Sequence, residues 1–138
     1  MPSRCRVHWL PDAKPTDRGI VYRRGEERFL LAWTRVQRAF AAQVGEDEEA
    51  PSVVLDLAVV TRGAECVICR TVAAPGEDAM RLARAVEVGV PAEAVHDSVR
   101  AVAQAGAAPR RVPDLETWTE VVLEAVRFVV EEPRSRAM

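Results

Sequence analysis

The strongest constraint lies in the middle of the chain, where two β-branched runs flank a short turn. Val53-Val54-Leu55-Asp56-Leu57-Ala58-Val59-Val60 is followed, across Arg62-Gly63, by Cys66-Val67-Ile68-Cys69-Arg70-Thr71-Val72. This is the pattern of an antiparallel hairpin. Setting Val60 opposite Cys66 places Asp56 opposite Arg70 on one face. A cross-strand ion pair of this kind contributes about 0.2–1 kcal/mol. It also fixes register, because a slip by one residue sends every side chain to the other face. Asp56 and Arg70 therefore read as structural residues.

Three helices are expected after the hairpin. The first covers about 77–88, between Pro75-Gly76 and Gly89, and its Glu77-Asp78 start suits the positive end of a helix dipole. The second covers about 91–105, opened by Pro91 and closed by Gly106, with Val95, Val99 and Val102 as its apolar stripe. A third covers about 115–131, capped by Asp114 or by Thr117 with Glu120 three residues on, and stopped at Pro133. Its face of Leu115, Trp118, Val122, Ala125 and Val129 reads as core. Residues 1–18, which contain Pro2, Pro11 and Pro15, read as an irregular leader, and 133–138 as a frayed tail. Together with 19–132 these form a single α+β domain: an antiparallel sheet centred on 53–73 with the helices against one side.

Residues 27–44 fit two templates. Phe29, Trp33, Val36, Phe40 and Val44 recur at helical spacing, whereas Val36, Arg38, Phe40, Ala42 and Val44 alternate as in a half-buried strand. The helical template is the stronger, with the acidic run at 46–49 as a solvated loop. A resemblance bears on this segment. Gly19-Ile20-Val21-Tyr22, the turn Arg24-Gly25-Glu26, and Leu31-Ala32-Trp33-Thr34-Arg35-Val36 make about residues 19–89 similar to the opening of bacterial pleckstrin-homology-like domains. The resemblance implies a partial, open or small antiparallel barrel acting as a binding scaffold.

Composition narrows the function classes. Hydrophobic residues at 49% and charged residues at 29% suit a soluble domain and exclude wholesale disorder. The only aromatics are three Trp, three Phe and one Tyr, so the core must rest on Val, Leu and Ala. Arg far outnumbers Lys, as in a bacterial chain with GC-rich coding bias. Residues 1–45 carry +5 and 46–138 carry −7, a net −2. The basic front end can attract an acidic surface, but no basic run is dense enough to predict nucleic-acid binding. Val53–Val60 is the longest apolar run, too short for a membrane span of about 20 residues. The arginines and His8 near the start do not resemble a signal peptide. The expectation is a cytoplasmic protein with reduced thiols and no disulfide framework.

Chemistry-bearing constellations are few. Cys5-x-x-His8 and Cys66-x-x-Cys69 use every Cys in the chain, and three thiolates with an imidazole would suit tetrahedral zinc. Against that, Cys66 and Cys69 lie three apart in a strand, which sends them to opposite faces. Buried small hydrophobes are the expectation, with no cofactor. A redox reading of Cys66-x-x-Cys69 lacks the helix N-terminus that stabilises a thiolate. His96 and Asp97 are adjacent on a helix and do not face each other. No phosphate loop, nucleophile elbow or calcium-loop spacing is present.

Trp9, between Arg4, Arg6 and Pro11, is the candidate partner-binding residue together with those two arginines, because Trp is enriched at interface centres. Trp33 and Trp118 read as core. The resulting expectation is a non-catalytic interaction or scaffold module of a bacterial cytoplasmic protein, binding a protein partner or a second copy. The alternatives are a structural zinc protein using Cys5, His8, Cys66 and Cys69, and a small enzyme using His96.

Overall fold

The computed structural model describes residues 5–45, 51–61, 63 and 65–126, with the Cys5 side chain excepted. Arg4, the acidic run at 46–49, Arg62 and the tail at 133–138 lie outside the described residues. The elements in order are β1 (Cys5–Trp9), β2 (Lys14–Pro15), β3 (Gly19–Arg24), β4 (Glu27–Ala32), a 3-10 turn (Trp33–Arg35), β5 (Val36–Val44), β6 (Ser52–Val60), β7 (Cys66–Ala73), α1 (Glu77–Gly89), a second 3-10 turn (Ala92–Ala94), α2 (Asp97–Ala105), β8 (Arg111–Val112) and α3 (Leu115–Ala125). The fold is α+β. A curled five-stranded sheet has the order β1-β7-β6-β5-β8, beside a three-stranded sheet β2-β3-β4.

The central hairpin forms in the register expected, Val60 opposite Cys66 and Asp56 opposite Arg70. The sheet is not wholly antiparallel. β1 runs parallel to β7, and β8 parallel to β5. The leader is also more than irregular chain, since Cys5–Trp9 supplies an edge strand of the main sheet.

Side-chain alternation gives this sheet two buried faces. Val53, Leu55, Leu57 and Val59 of β6 meet Leu82 and Val86 of α1, Val99 and Val102 of α2, and Ile20 of the small sheet. Val54 and Ala58, on the opposite face, meet Phe40, Ile68, and Trp118 and Val122 of α3. The helices therefore lie on both sides of the sheet, correcting the one-sided arrangement expected. A continuously apolar strand demands cover on both faces, and β6 is such a strand.

Residues 27–44 are strand, not helix: β4, a single 3-10 turn, then β5. Two features hid this. β5 is buried on both faces, so Ala39 and Ala41 face one layer while Phe40 and Ala42 face the other, and a doubly buried strand loses its polar alternation. A register shift between Val36 and Arg38 also turns Val36 to the α1 side, as a bulge does.

α1 matches its expected span. α2 is shorter than expected. Residues 92–94 are a 3-10 turn, and Val95 is extended, bridging Ala39 of β5. The free edge of β5 takes up those backbone groups, so the helix begins only at Asp97. α3 is capped by Asp114, whose side chain accepts from the Thr117 N–H at 2.7 Å. Its described part ends at Ala125, and the expected continuation to 131 passes out of the described residues at 127. Trp33 and Trp118 are core, at 4% and 3% exposure. The Trp33 indole N–H donates to the Thr16 carbonyl, and its ring lies so close to Gly89 that any Cβ there would overlap it.

Candidate functional site: the β1 edge and the His96 cleft

β1 alternates across the main sheet. Trp9 lies opposite Arg70 and Val7 opposite Ile68, on the α3 side, while Arg6 and His8 lie opposite Val67 and Cys69, on the other. Trp9 and Arg6 are both exposed but flank the edge strand from opposite faces. They therefore form no single flat patch, and a partner reaching both would have to wrap the edge.

Trp9, at 42% exposure, sits on a rigid mount. The Arg70 guanidinium lies 5.7 Å from its ring centroid, within cation–π range. Arg70 is fixed in turn. Its Nε and one terminal nitrogen each donate to an Asp56 carboxylate oxygen at 2.8 Å, and its other terminal nitrogen donates to Thr119 Oγ1 on α3 at 2.8 Å. The Thr119 hydroxyl in turn donates a hydrogen bond to the Leu115 carbonyl at 2.7 Å. Both charged side chains are almost wholly buried, and burial pushes the Asp56 carboxyl above its usual range against the pull of Arg70. Trp118 Nε1 has no hydrogen-bond partner in good geometry, yet lies near enough to favour the Asp56 charge. The pair is thus a desolvated, bidentate anchor rather than the modest ion pair the hairpin pattern suggests.

On the other face of β1, the His8 ring meets Tyr22 edge-on at 5.9 Å, and Tyr22 stacks on Phe29 at 5.5 Å. Arg24 donates to His8 Nδ1 at 3.0 Å, which leaves the proton of the neutral ring on Nε2. Burial, then the charges of Arg24 and Arg6, lower the His8 pKa. Sequence reading missed this row of rings. Its signal was present in the Gly25-Glu26 loop, which pairs Tyr22 with Phe29 by simple counting.

The four zinc candidates come to adjacent strands, Cys5 opposite Cys66 and His8 opposite Cys69. Strand alternation still divides them, with Cys66 in the layer under α3 and Cys69 in the layer under α1 and α2. Cys66 is disulfide-bonded, contrary to the expectation of reduced thiols throughout. Cys69 is a buried free thiol, and burial raises its pKa to about 11. A thiol this far above neutral is a poor nucleophile. Among the described residues no three His, Cys, Asp or Glu side chains gather as a metal site would require.

His96 is not inside a helix. It caps α2 from an extended backbone, with Nδ1 accepting the Ser98 N–H at 3.0 Å. The Ser98 hydroxyl lies 2.8 Å from the same nitrogen and itself accepts the Ala41 N–H. The neutral imidazole therefore carries its proton on Nε2. His96 lines a cleft of about 230 Å³ with Arg38, Phe40, Glu93 and Asp97. Asp97 is taken by Arg100 at 2.9 Å, so His96 and Asp97 form no dyad. A larger opening of about 580 Å³ lies beside Gln43, Ser52 and Val72, with no titratable side chain among the described residues that line it.

Comparison with protein-family models, curated proteins and solved structures yields no match. No described helix is long and apolar enough to cross a membrane.

Proposed function

We propose that this chain is a non-catalytic interaction module of a bacterial cytoplasmic protein, built on a pleckstrin-homology-like kind of scaffold, which captures a protein partner at the edge of β1. One observation carries the reading: an exposed indole, Trp9, is held over a buried guanidinium that is itself fixed by three hydrogen bonds. A large aromatic that keeps its orientation before binding loses little entropy on association, and such residues dominate interface energetics. Arg6, exposed on the opposite face of the same strand, favours an acidic partner.

The test is affinity capture from a bacterial lysate with the wild-type chain, Trp9→Ala and Arg6→Glu. The expected result is a partner retained by wild type and lost by Trp9→Ala with an unchanged far-UV spectrum. Equal retention by all three chains would defeat the proposal. The compartment is tested separately, by alkylating thiols before lysis and counting labelled cysteines. Cytoplasmic residence, where glutathione keeps thiols reduced, predicts that Cys66 is labelled in the cell and forms its disulfide only on later oxidation.

A second reading rests on the His96 cleft, where an oriented imidazole faces a cavity beside the Glu93 and Arg38 positions. It makes His96 the acid or base of a small enzyme. A hydrolase and transferase substrate panel that shows turnover lost in His96→Gln would favour it.

A further inference from the structure

The three-stranded sheet ends on β4, whose outer edge pairs with no other strand among the described residues. The β3–β4 hairpin turns through a two-residue loop, Gly25-Glu26, with Gly25 at a φ of 62° and Arg24 paired to Glu27. In such a hairpin the closing pair exchanges both backbone hydrogen bonds, and hydrogen-bonded pairs then alternate. Tyr22/Phe29 and Ile20/Leu31 are the next bonded pairs. The Trp33 N–H, which donates to the Arg18 carbonyl, continues the same alternation. Arg28, Leu30 and Ala32 therefore turn their N–H and C=O groups away from β3. Among the described residues no strand lies beyond β4.

Natural edges are blunted with lysine, proline, bulges or cover. Phe29 to Ala32 contain no lysine, proline or bulge, and no described strand covers them. Phe29 and Leu30 are 39% and 49% exposed. A row of alternating donors and acceptors fits only another extended strand. The strand most clearly complementary to it is itself. An antiparallel two-fold on Leu30 sets Leu30 opposite Leu30 of the second copy, Phe29 opposite Leu31, and Arg28 opposite Ala32, so that no like charges meet. A two-fold on Arg28 would oppose two guanidinium groups and is disfavoured. Such a contact is isologous, so it closes at two copies and leaves no edge on which to propagate.

We infer that β4 is the dimerisation strand of this protein, pairing antiparallel with β4 of a second copy across a two-fold at Leu30. This surface is separate from β1 and stands whether or not β1 captures a partner. Pairing one short strand makes a contact of the size class of weak, transient interfaces, so the dimer is expected to exchange with monomer.

The experiment is analytical ultracentrifugation from about 1 to 300 µM on wild type, Leu30→Pro, Leu30→Lys and Trp9→Ala. Leu30→Pro deletes an N–H that β3 does not use, which an edge strand tolerates. Leu30→Lys sets two ammonium groups face to face. Wild type is expected to pass from monomer to dimer across this range, Trp9→Ala to do the same, and both Leu30 variants to dimerise at least ten-fold more weakly with a wild-type far-UV spectrum. Should Leu30→Pro fail to fold, Leu30→Lys decides. A wild-type chain monomeric at 300 µM, open-ended oligomers, or a dimer unchanged by the substitutions at Leu30 would each overturn the inference.

Discussion

The two faces of the five-stranded sheet are buried to a similar degree but built from different chemistry. Under α1 and α2, the face of β6 is entirely aliphatic: Val53, Leu55, Leu57 and Val59. Under α3, Asp56 takes one of those places and Arg70 sits beside it on β7, both almost wholly buried. Among the described residues the first face packs around β6 with no buried ion pair, so a sheet face of this kind can be buried without one. Buried ion pairs are seldom better than aliphatic residues of similar volume, yet breaking one is costly. The pair on the α3 face does something the aliphatic face cannot: it fixes a guanidinium at the point where the sheet meets Trp9.

That contrast can be broken most forcefully at the pair itself. Arg70→Ala should destabilise the chain by about 3–5 kcal/mol, because it strands a buried carboxylate, and urea unfolding measures it. Replacing both partners by Asp56→Leu and Arg70→Met should recover most of that loss, so the two changes are strongly non-additive. On the aliphatic face, Leu57→Ala should cost about 2–5 kcal/mol with no such rescue, the ordinary result of a cavity. Ser98→Ala should cost about 1–3 kcal/mol, because the buried Ala41 N–H loses its acceptor. Its thermal unfolding checks the value.

The smallest effect concerns the Asp114 cap. The Thr117 backbone N–H, and then its side chain, hold this carboxyl below the usual carboxylate range. A lowered folded-state pKa contributes stability above the unfolded value and loses it as pH falls through the folded one. Asp114→Ala should therefore lower the melting temperature by a few degrees at pH 7. The difference should shrink as pH drops below the ordinary carboxylate range of about 4. A difference that is constant down to pH 2 would show that the cap is not acting through its charge.

What was legible in the sequence follows the distance over which each element is decided. The β6–β7 hairpin is local, and its register, down to Asp56 opposite Arg70, could be counted from the turn. α1 and the Asp114 cap of α3 carry their own punctuation. β1 was missed because its partner lies some sixty positions away and runs parallel, so no turn announces the pairing. The start of α2 was misplaced because Val95 is claimed by the edge of β5 rather than by its neighbours. In the candidate site, Trp9 stood out as an isolated aromatic among arginines. Its mount did not, since Thr119 joins Arg70 from α3, 49 residues along the chain, a contact no local spacing encodes.

The central claim is that the buried pair positions Trp9 for binding rather than stabilising the fold. It is tested most directly by partner capture with the double variant Asp56→Leu/Arg70→Met, measured beside its melting temperature. The account predicts a chain that melts near or above wild type and no longer retains the partner, because the indole has lost its anchor. Wild-type capture by a fully folded double variant would contradict it.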